Sequence, residues 1–261
     1  MAADASYPAE ATAVLAVDSL RMTYPTKTVL ADISFEVRPA EIVCLVGPSG
    51  IGKTTLLRCL GGLQIATTGS VRTHGSALGG TPRHMSVVFQ DYSRSLLPWM
   101  RVGANVALPL RAAGVGRSER TRRAEQVLGE VGLEGTSDMY PWQLSGGMQQ
   151  RVAIARALVD NPRVLLMDEP FASVDAQTRF ELEDLTLRIR AETGVAAVLV
   201  THDIDEAVYL GDRVLVLSGA PATIARSVDV DLGQPRDQLS TRAGHRFGEL
   251  RSEVLREIRR Y

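Results

Sequence analysis

Gly47-Pro48-Ser49-Gly50-Ile51-Gly52-Lys53-Thr54 fits the pattern G-x-x-x-x-G-K-[ST]. Glycines in such a loop let backbone N–H groups converge on phosphate oxygens. An apolar run at 42–46 precedes it, and Leu56, Leu57 and Leu60 share one helical face after it, before Gly61-Gly62 stops the helix. The reading is strand, glycine-rich turn, helix, with the positive end of the helix behind the loop. Lys53 is predicted to reach the terminal phosphates. The Thr54 hydroxyl suits Mg²⁺, a hard cation that prefers oxygen ligands, so a nucleotide with Mg²⁺ is the implied ligand. The chain has just two lysines, Lys27 and Lys53, which makes an incidental lysine in a glycine-rich turn the weaker explanation.

Working outward, the apolar run at 164–167 ends in Asp168-Glu169-Pro170, at the kind of strand end where open α/β sheets bind ligands. Asp168 is expected to hold Mg²⁺ through its water shell, and Glu169 to polarise the water that attacks a γ-phosphate. Runs at 87–89, 198–200 and 214–217 read as further buried strands, and 14–17 and 33–37 as extended structure at the start. Between Gln90 and Asn161 the stretches 102–108, 117–131 and 148–159 read as helices with no convincing strand, which predicts a helical subdomain at about 91–161. In 245–261, Phe247, Leu250, Val254 and Ile258 recur at helical spacing and predict an amphipathic helix packed on the body. Its opposite face, Arg251, Glu253, Arg256, Glu257 and Arg260, reads as solvated, with a partner surface as the alternative.

The 261 residues are 45% hydrophobic and 23% charged, which points to a folded chain and away from disorder or a collagenous repeat. With 29 basic and 30 acidic residues, no global field draws nucleic acid to the surface. Cys44 and Cys59 both sit in apolar stretches, which excludes a disulfide scaffold or zinc module and agrees with a reducing compartment. The N-terminal MAADASYPAE lacks an apolar centre, and nowhere do 18 apolar residues run uninterrupted. Neither an export signal nor a membrane span is expected, so any membrane role comes through a partner.

Leu144-Ser145-Gly146-Gly147-Met148-Gln149-Gln150-Arg151 stands before a predicted helix, where Ser145 and the amides of Gly146 and Gly147 make a second anion site at a helix start. This string resembles the signature motif of the nucleotide-binding subunits of ATP-binding cassette (ABC) transporters. The resemblance covers roughly residues 13–218 and leaves 219–261 as a short C-terminal extension. It implies an α/β fold: a P-loop NTPase (RecA-like) core with an antiparallel β subdomain and an inserted α-helical subdomain, hydrolysing ATP with Mg²⁺. It also implies a head-to-tail homodimer. Ser145, Gly146 and Gly147 of one protomer would grip the nucleotide held by Gly47, Pro48, Ser49, Gly50, Ile51, Gly52, Lys53, Thr54 and Thr55 of the other.

The remaining family elements occur in order. Tyr24, 23 residues before Gly47, matches the aromatic on which adenine stacks. Gln90 matches the Q-loop glutamine, which joins Thr54 and Asp168 as a Mg²⁺ ligand and joins Glu169 and His202 in catalysis. Asp175, in Ser173-Val174-Asp175, stands where the D-loop belongs, with Val where Leu is more usual. His202, in Val200-Thr201-His202-Asp203, matches the switch histidine that contacts the γ-phosphate. Taken singly, Tyr24 is a surface aromatic, Gln90 a strand-end polar residue and His202 a loop histidine. Order and spacing join them.

Gln90 and Ser145 are 55 residues apart with no sustained heptads, unlike chromosome-maintenance and repair members, which insert a long coiled coil there. One cassette without a membrane span resembles the separate ATPase subunits of bacterial importers and of some exporters. Phe89-Gln90-Asp91-Tyr92-Ser93-Arg94-Ser95-Leu96-Leu97-Pro98-Trp99 resembles the corresponding segment of nitrate, sulfonate and taurine-type uptake ATPases. That implies transmembrane permease subunits, a periplasmic or lipid-anchored solute-binding protein, a peripheral place on the cytoplasmic face of the membrane, and no nucleic acid. The patch around Leu97 and Trp99 suits a groove for a short permease helix; packing within the subdomain is the alternative. An exporter ATPase and a non-transport ABC ATPase are the competing functional readings.

Overall fold

Five consecutive apolar residues without alternation require cover on both faces of a strand, and Ile42–Val46 (β3) has it. Ile42, Cys44 and Val46 face one core, while Val43 and Leu45 face another. The same division runs through Val164–Asp168 (β7), Ala196–Val200 (β8) and Arg213–Ser218 (β9). With Met85–Val88 (β6) and Thr223–Asp229 (β10) they form a six-stranded sheet in the order β10-β9-β3-β8-β7-β6. All its strand pairs are parallel except β10 with β9. This is a computed structural model, and it describes residues 13–73, 75–82, 84–91 and 95–260. The first ten residues, Tyr92-Ser93-Arg94 and Tyr261, which figured in the readings above, lie outside the described residues.

One core lies between this sheet and a four-stranded antiparallel sheet, β2-β1-β4-β5, made by Leu15–Tyr24 (β1), Lys27–Val37 (β2), Thr68–Thr73 (β4) and Ser76–Ala77 (β5). Helix Lys53–Leu60 (α1) packs Leu56, Leu57 and Leu60 into the same core, the face its spacing predicted. The other core is covered by helices. Val102–Val106 (α2), Leu108–Ala112 (α3), Arg117–Glu130 (α4) and Gly146–Leu158 (α5) fill the stretch between β6 and β7, where no strand occurs among the described residues. Ala176–Thr193 (α6) and Ile204–Leu210 (α7) follow β7 and β8. This is the α/β fold expected from the sequence, with its antiparallel β layer and helical insertion.

The residues after 218 add β10 to the edge of the six-stranded sheet. Ala222 bonds both ways with β2, Ala31 N–H to Ala222 O at 2.9 Å and Ala222 N–H to Val29 O at 2.8 Å. A short helix Ser240–Ala243 (α8) leads into His245–Arg259 (α9), which packs on α7 and β9. Phe247, Leu250 and Val254 are buried, each worth about 1.5–3 kcal/mol relative to exposure. On the opposite face Arg251 pairs with Asp205 of α7 at 2.7 Å and Arg260 with Glu257 at 2.8 Å.

Candidate active site

The register of the six-stranded sheet brings the site residues to one edge. Val88 of β6 lies opposite Met167 of β7, and Asp168 opposite Val200 of β8. The parallel strands β6, β7, β8 and β3 therefore end side by side, delivering Gln90, Asp168-Glu169, His202 and the loop from Gly47 to the carboxyl edge where α/β sheets bind ligands. The loop needs its glycines. At Gly47 a Cβ would lie 2.6 Å from the carbonyl oxygen of Leu217, and Gly52, at φ +117°, would bring one to 2.8 Å from Val29 Cγ1.

Lys53, the first residue of α1, is buried and folds back along the loop, donating from Nζ to Gly47 O at 2.8 Å and Pro48 O at 3.0 Å. Burial lowers its pKa, and the nearby carboxylates of Glu169 and Asp168 oppose that shift. Thr54 donates from Oγ1 to Asp168 Oδ1 at 3.2 Å. Burial raises the Asp168 pKa, the Thr54 bond works against it, and the Glu169 charge adds to it. Thr55 completes the first turn of α1.

Glu169 is the centre of the arrangement. Its backbone is left-handed, at φ +44°, a conformation that costs a non-glycine residue about 1–2 kcal/mol. Its N–H donates to Val200 O at 2.8 Å, which fixes it to the end of β8. So held, its Oε2 accepts from Gln90 Nε2 at 3.3 Å and meets His202 Nδ1 at 3.1 Å. Two side chains, 79 and 33 positions from Glu169 in sequence, thus converge on one of its carboxylate oxygens.

Tyr24 ends β1, is 38% exposed, and accepts a hydrogen bond from Gln64 Nε2 at 2.8 Å. Its cross-strand partner Lys27 lines a cleft of about 350 Å³ shared with Pro48, Ser49, Gly50 and Ile51 and with residues 218–222.

Ser145, Gly146, Gly147 and Asp175 form a second group. Ser145 caps α5, accepting from Met148 N–H at 3.3 Å, with Gly146 and Gly147 in the first turn. Asp175 caps α6, accepting from Thr178 N–H at 3.0 Å and Thr178 Oγ1 at 2.7 Å, bonds that hold its pKa below the usual carboxylate range. The two helix starts touch: a Cβ on Gly147 would lie 2.4 Å from Thr178 Cγ2. Among the described residues no hydrogen bond joins this group to the phosphate loop or to Glu169.

The sequence reading assigned no role to Arg179 or Asp203. Arg179 Nη1 lies 3.2 Å from Asp203 Oδ2, tying the helix after Asp175 to the residue after His202. Asp203 also caps α7 through the amides of Asp205 and Glu206. The signal was present, since Asp203-x-x-Glu206 is a helix-start pattern.

A glycine loop that leads from a parallel strand into a helix, beside a strand-end carboxylate pair, defines a P-loop nucleotide hydrolase. A family model described as ABC transporter matches residues 30–172. The chain belongs to the ABC transporter family, and it is an ABC-type ATPase. It is 47% identical over 233 residues to the aliphatic sulfonates import ATP-binding protein SsuB 1 of Xanthomonas axonopodis pv. citri, covering 89% of this chain and 91% of that one. The taurine import ATP-binding protein TauB of Shigella boydii is 39% identical over 249 residues, 94% of this chain and 97% of its own. A solved dimeric ATP-binding cassette in a post-hydrolysis state, bound to ADP and Pi, superposes with a TM-score of 0.73 at 31% identity, covering 83% of this chain and 98% of that one.

Proposed function

We propose that this chain is the ATPase subunit that powers uptake of a small anion, foremost a sulfonate, through a partner permease. The observation that carries the catalytic part is the meeting of Gln90 and His202 on Oε2 of Glu169, beside the Thr54–Asp168 pair. In this reading Glu169 takes the proton of the attacking water as its oxygen bonds to the γ-phosphorus and the bond to the β-phosphate oxygen breaks, giving ADP and phosphate. Gln90 and His202 hold Glu169 in line, and His202 also contacts the γ-phosphate. The loop N–H groups between Gly47 and Thr55, Pro48 having none, and the Lys53 ammonium cradle the phosphates, and Tyr24 stacks on adenine.

Among the described residues no cluster of three or more His, Cys, Asp or Glu would hold a metal alone. The Thr54 hydroxyl, the Asp168 carboxylate and the Gln90 side-chain oxygen are hard donors that suit Mg²⁺ arriving with phosphate oxygens. When bound, Mg²⁺ neutralises charge on the β- and γ-phosphates.

That no hydrogen bond among the described residues joins the Ser145–Gly147 and Asp175 group to the phosphate loop supports a head-to-tail dimer, in which that group closes on the partner's nucleotide. Trp99 is 72% exposed on the segment after Gln90, which supports a permease helix docking there. No helix among the described residues is long and apolar enough to cross a membrane; we place the subunit peripherally on the cytoplasmic face, in a complex with a solute-binding protein. The relatives named for aliphatic sulfonates and taurine support the substrate class. Glu169→Gln tests the reading: it is expected to retain ATP binding, nearly abolish turnover and accumulate an ATP-bound dimer on gel filtration. A monomeric, fully active variant refutes it. Loss of growth on taurine or an alkanesulfonate as sole sulfur source after gene deletion tests the solute.

A further inference from the structure

Two polar side chains hold the segment that displays Trp99. Asn105 of α2, fully buried, accepts Leu97 N–H on Oδ1 at 2.8 Å and donates from Nδ2 to the carbonyls of Leu97 at 3.1 Å, Met100 at 3.0 Å and Arg101 at 3.3 Å. Arg156 of α5 donates from Nη1 to Ser95 O at 2.6 Å and from Nη2 to Ser95 Oγ at 2.8 Å. Burial lowers the Arg156 pKa, and among the described residues no carboxylate offsets that effect. A guanidinium is a costly filler at such a place, where an apolar side chain of similar length would pack without desolvating a charge. What the guanidinium adds is a planar fork, two directional bonds to one residue.

The helix that carries Arg156 begins at Ser145, about 16 Å away along its axis at 1.5 Å per residue. We infer that Arg156 is a positioning residue that ties the Ser95–Arg101 segment to α5, so that contact made at the Ser145 end of the helix is felt where Trp99 is displayed. The inference rests on the proposed roles of Ser145 at a nucleotide and of Trp99 at a membrane partner. α5 serves as a stiff lever and the Arg156 fork as its joint, while Asn105 keeps the far end of the segment folded.

Hydrogen exchange on the full chain carrying Glu169→Gln, with and without MgATP, tests this. In the Glu169→Gln background ATP is expected to slow exchange in peptides covering both 146–158 and 95–101. Adding Arg156→Ala is expected to leave ATP affinity and the dimer on gel filtration unchanged, keep the response of 146–158 and lose that of 95–101. Arg156→Lys, which retains a cation and a donor, should recover part of it. Retained protection of 95–101 in Arg156→Ala overturns the inference, as does a dimer whose 95–101 peptides ignore ATP. If Arg156→Ala does not fold, Ser95→Ala, which removes one of the two acceptors, must shrink the 95–101 response, and an unchanged response is equally fatal. Failure of ATP to produce a dimer overturns the underlying functional reading and this inference with it.

Discussion

Arg242 of α8 reaches the carboxylate of Glu183 on α6 at 2.6 Å, a carboxylate whose side chain is only 1% exposed. The guanidinium also lies over the rings of Phe180, Tyr209 and Phe247, at 5.0, 4.7 and 5.8 Å from their centroids. The C-terminal segment is thereby locked onto α6 and α7. Removing the cation leaves Glu183 buried with Gln238 as its remaining partner. Arg242→Ala should cost about 3–5 kcal/mol in denaturant unfolding, and Arg242→Ala with Glu183→Gln should recover a substantial part of that loss. An additive double variant would show that the pair is not coupled.

Glu206 of α7 is buried, its Oε1 has no hydrogen-bond partner, and burial, with the Glu183 charge adding, raises its pKa to about 8 from 4.5. Between pH 4.5 and about 8 the native state therefore holds a proton that the unfolded chain has already released. Stability from this group is full below pH 4.5, falls across that window and is gone above about 8. Glu206→Gln should flatten the profile and raise alkaline stability by a few kcal/mol, read from urea unfolding at pH 5 and pH 9. A variant curve parallel to the parent's would contradict this.

Lys53→Ala should weaken ATP binding itself, because in the proposed role the ammonium bonds the phosphates. Charge-assisted bonds of this kind are worth about 1.5–3 kcal/mol, so titration calorimetry should show a loss of about 10- to 100-fold. Unchanged affinity would contradict the role given to the lysine.

Gly147→Ala should force α5 and α6 apart where a Cβ meets Thr178 Cγ2 at 2.4 Å. The expected cost is about 1–3 kcal/mol in stability, together with a fall in turnover. Thr178→Ser removes that methyl and keeps the hydroxyl that bonds Asp175, so Gly147→Ala with Thr178→Ser should regain both. Persistent loss in the double variant would locate the fault elsewhere.

The central strands were readable because burial on both faces leaves unbroken apolar runs, as at Ile42–Val46. The ends of those runs were readable for the same reason, and they carry Glu169, Gln90 and His202. α6 escaped notice: its buried Leu182, Leu185 and Ile189 are diluted by Arg179, Glu181, Glu183, Asp184 and Arg188, all five of which are held by partners from elsewhere in the chain. β10 is a polar edge strand and α7 a helix of seven residues, both too weakly patterned to declare themselves. The contact of Gly147 with Thr178 and the pairing of Glu183 with Arg242 join residues far apart in the chain. No local periodicity announces such pairs; only the packing of α5, α6 and α8 creates them.

Because Gln90, Glu169 and His202 hang from neighbouring strand ends, the sheet works as their ruler. A single residue added to or deleted from Met85–Val88 would turn the side chains beyond it to the opposite face and carry Gln90 off its 3.3 Å bond. The proposed catalysis is thus exposed to errors of spacing in segments away from the three side chains, and length in β6, β7 and β8 should be guarded by selection as closely as the identity of the residues at their tips.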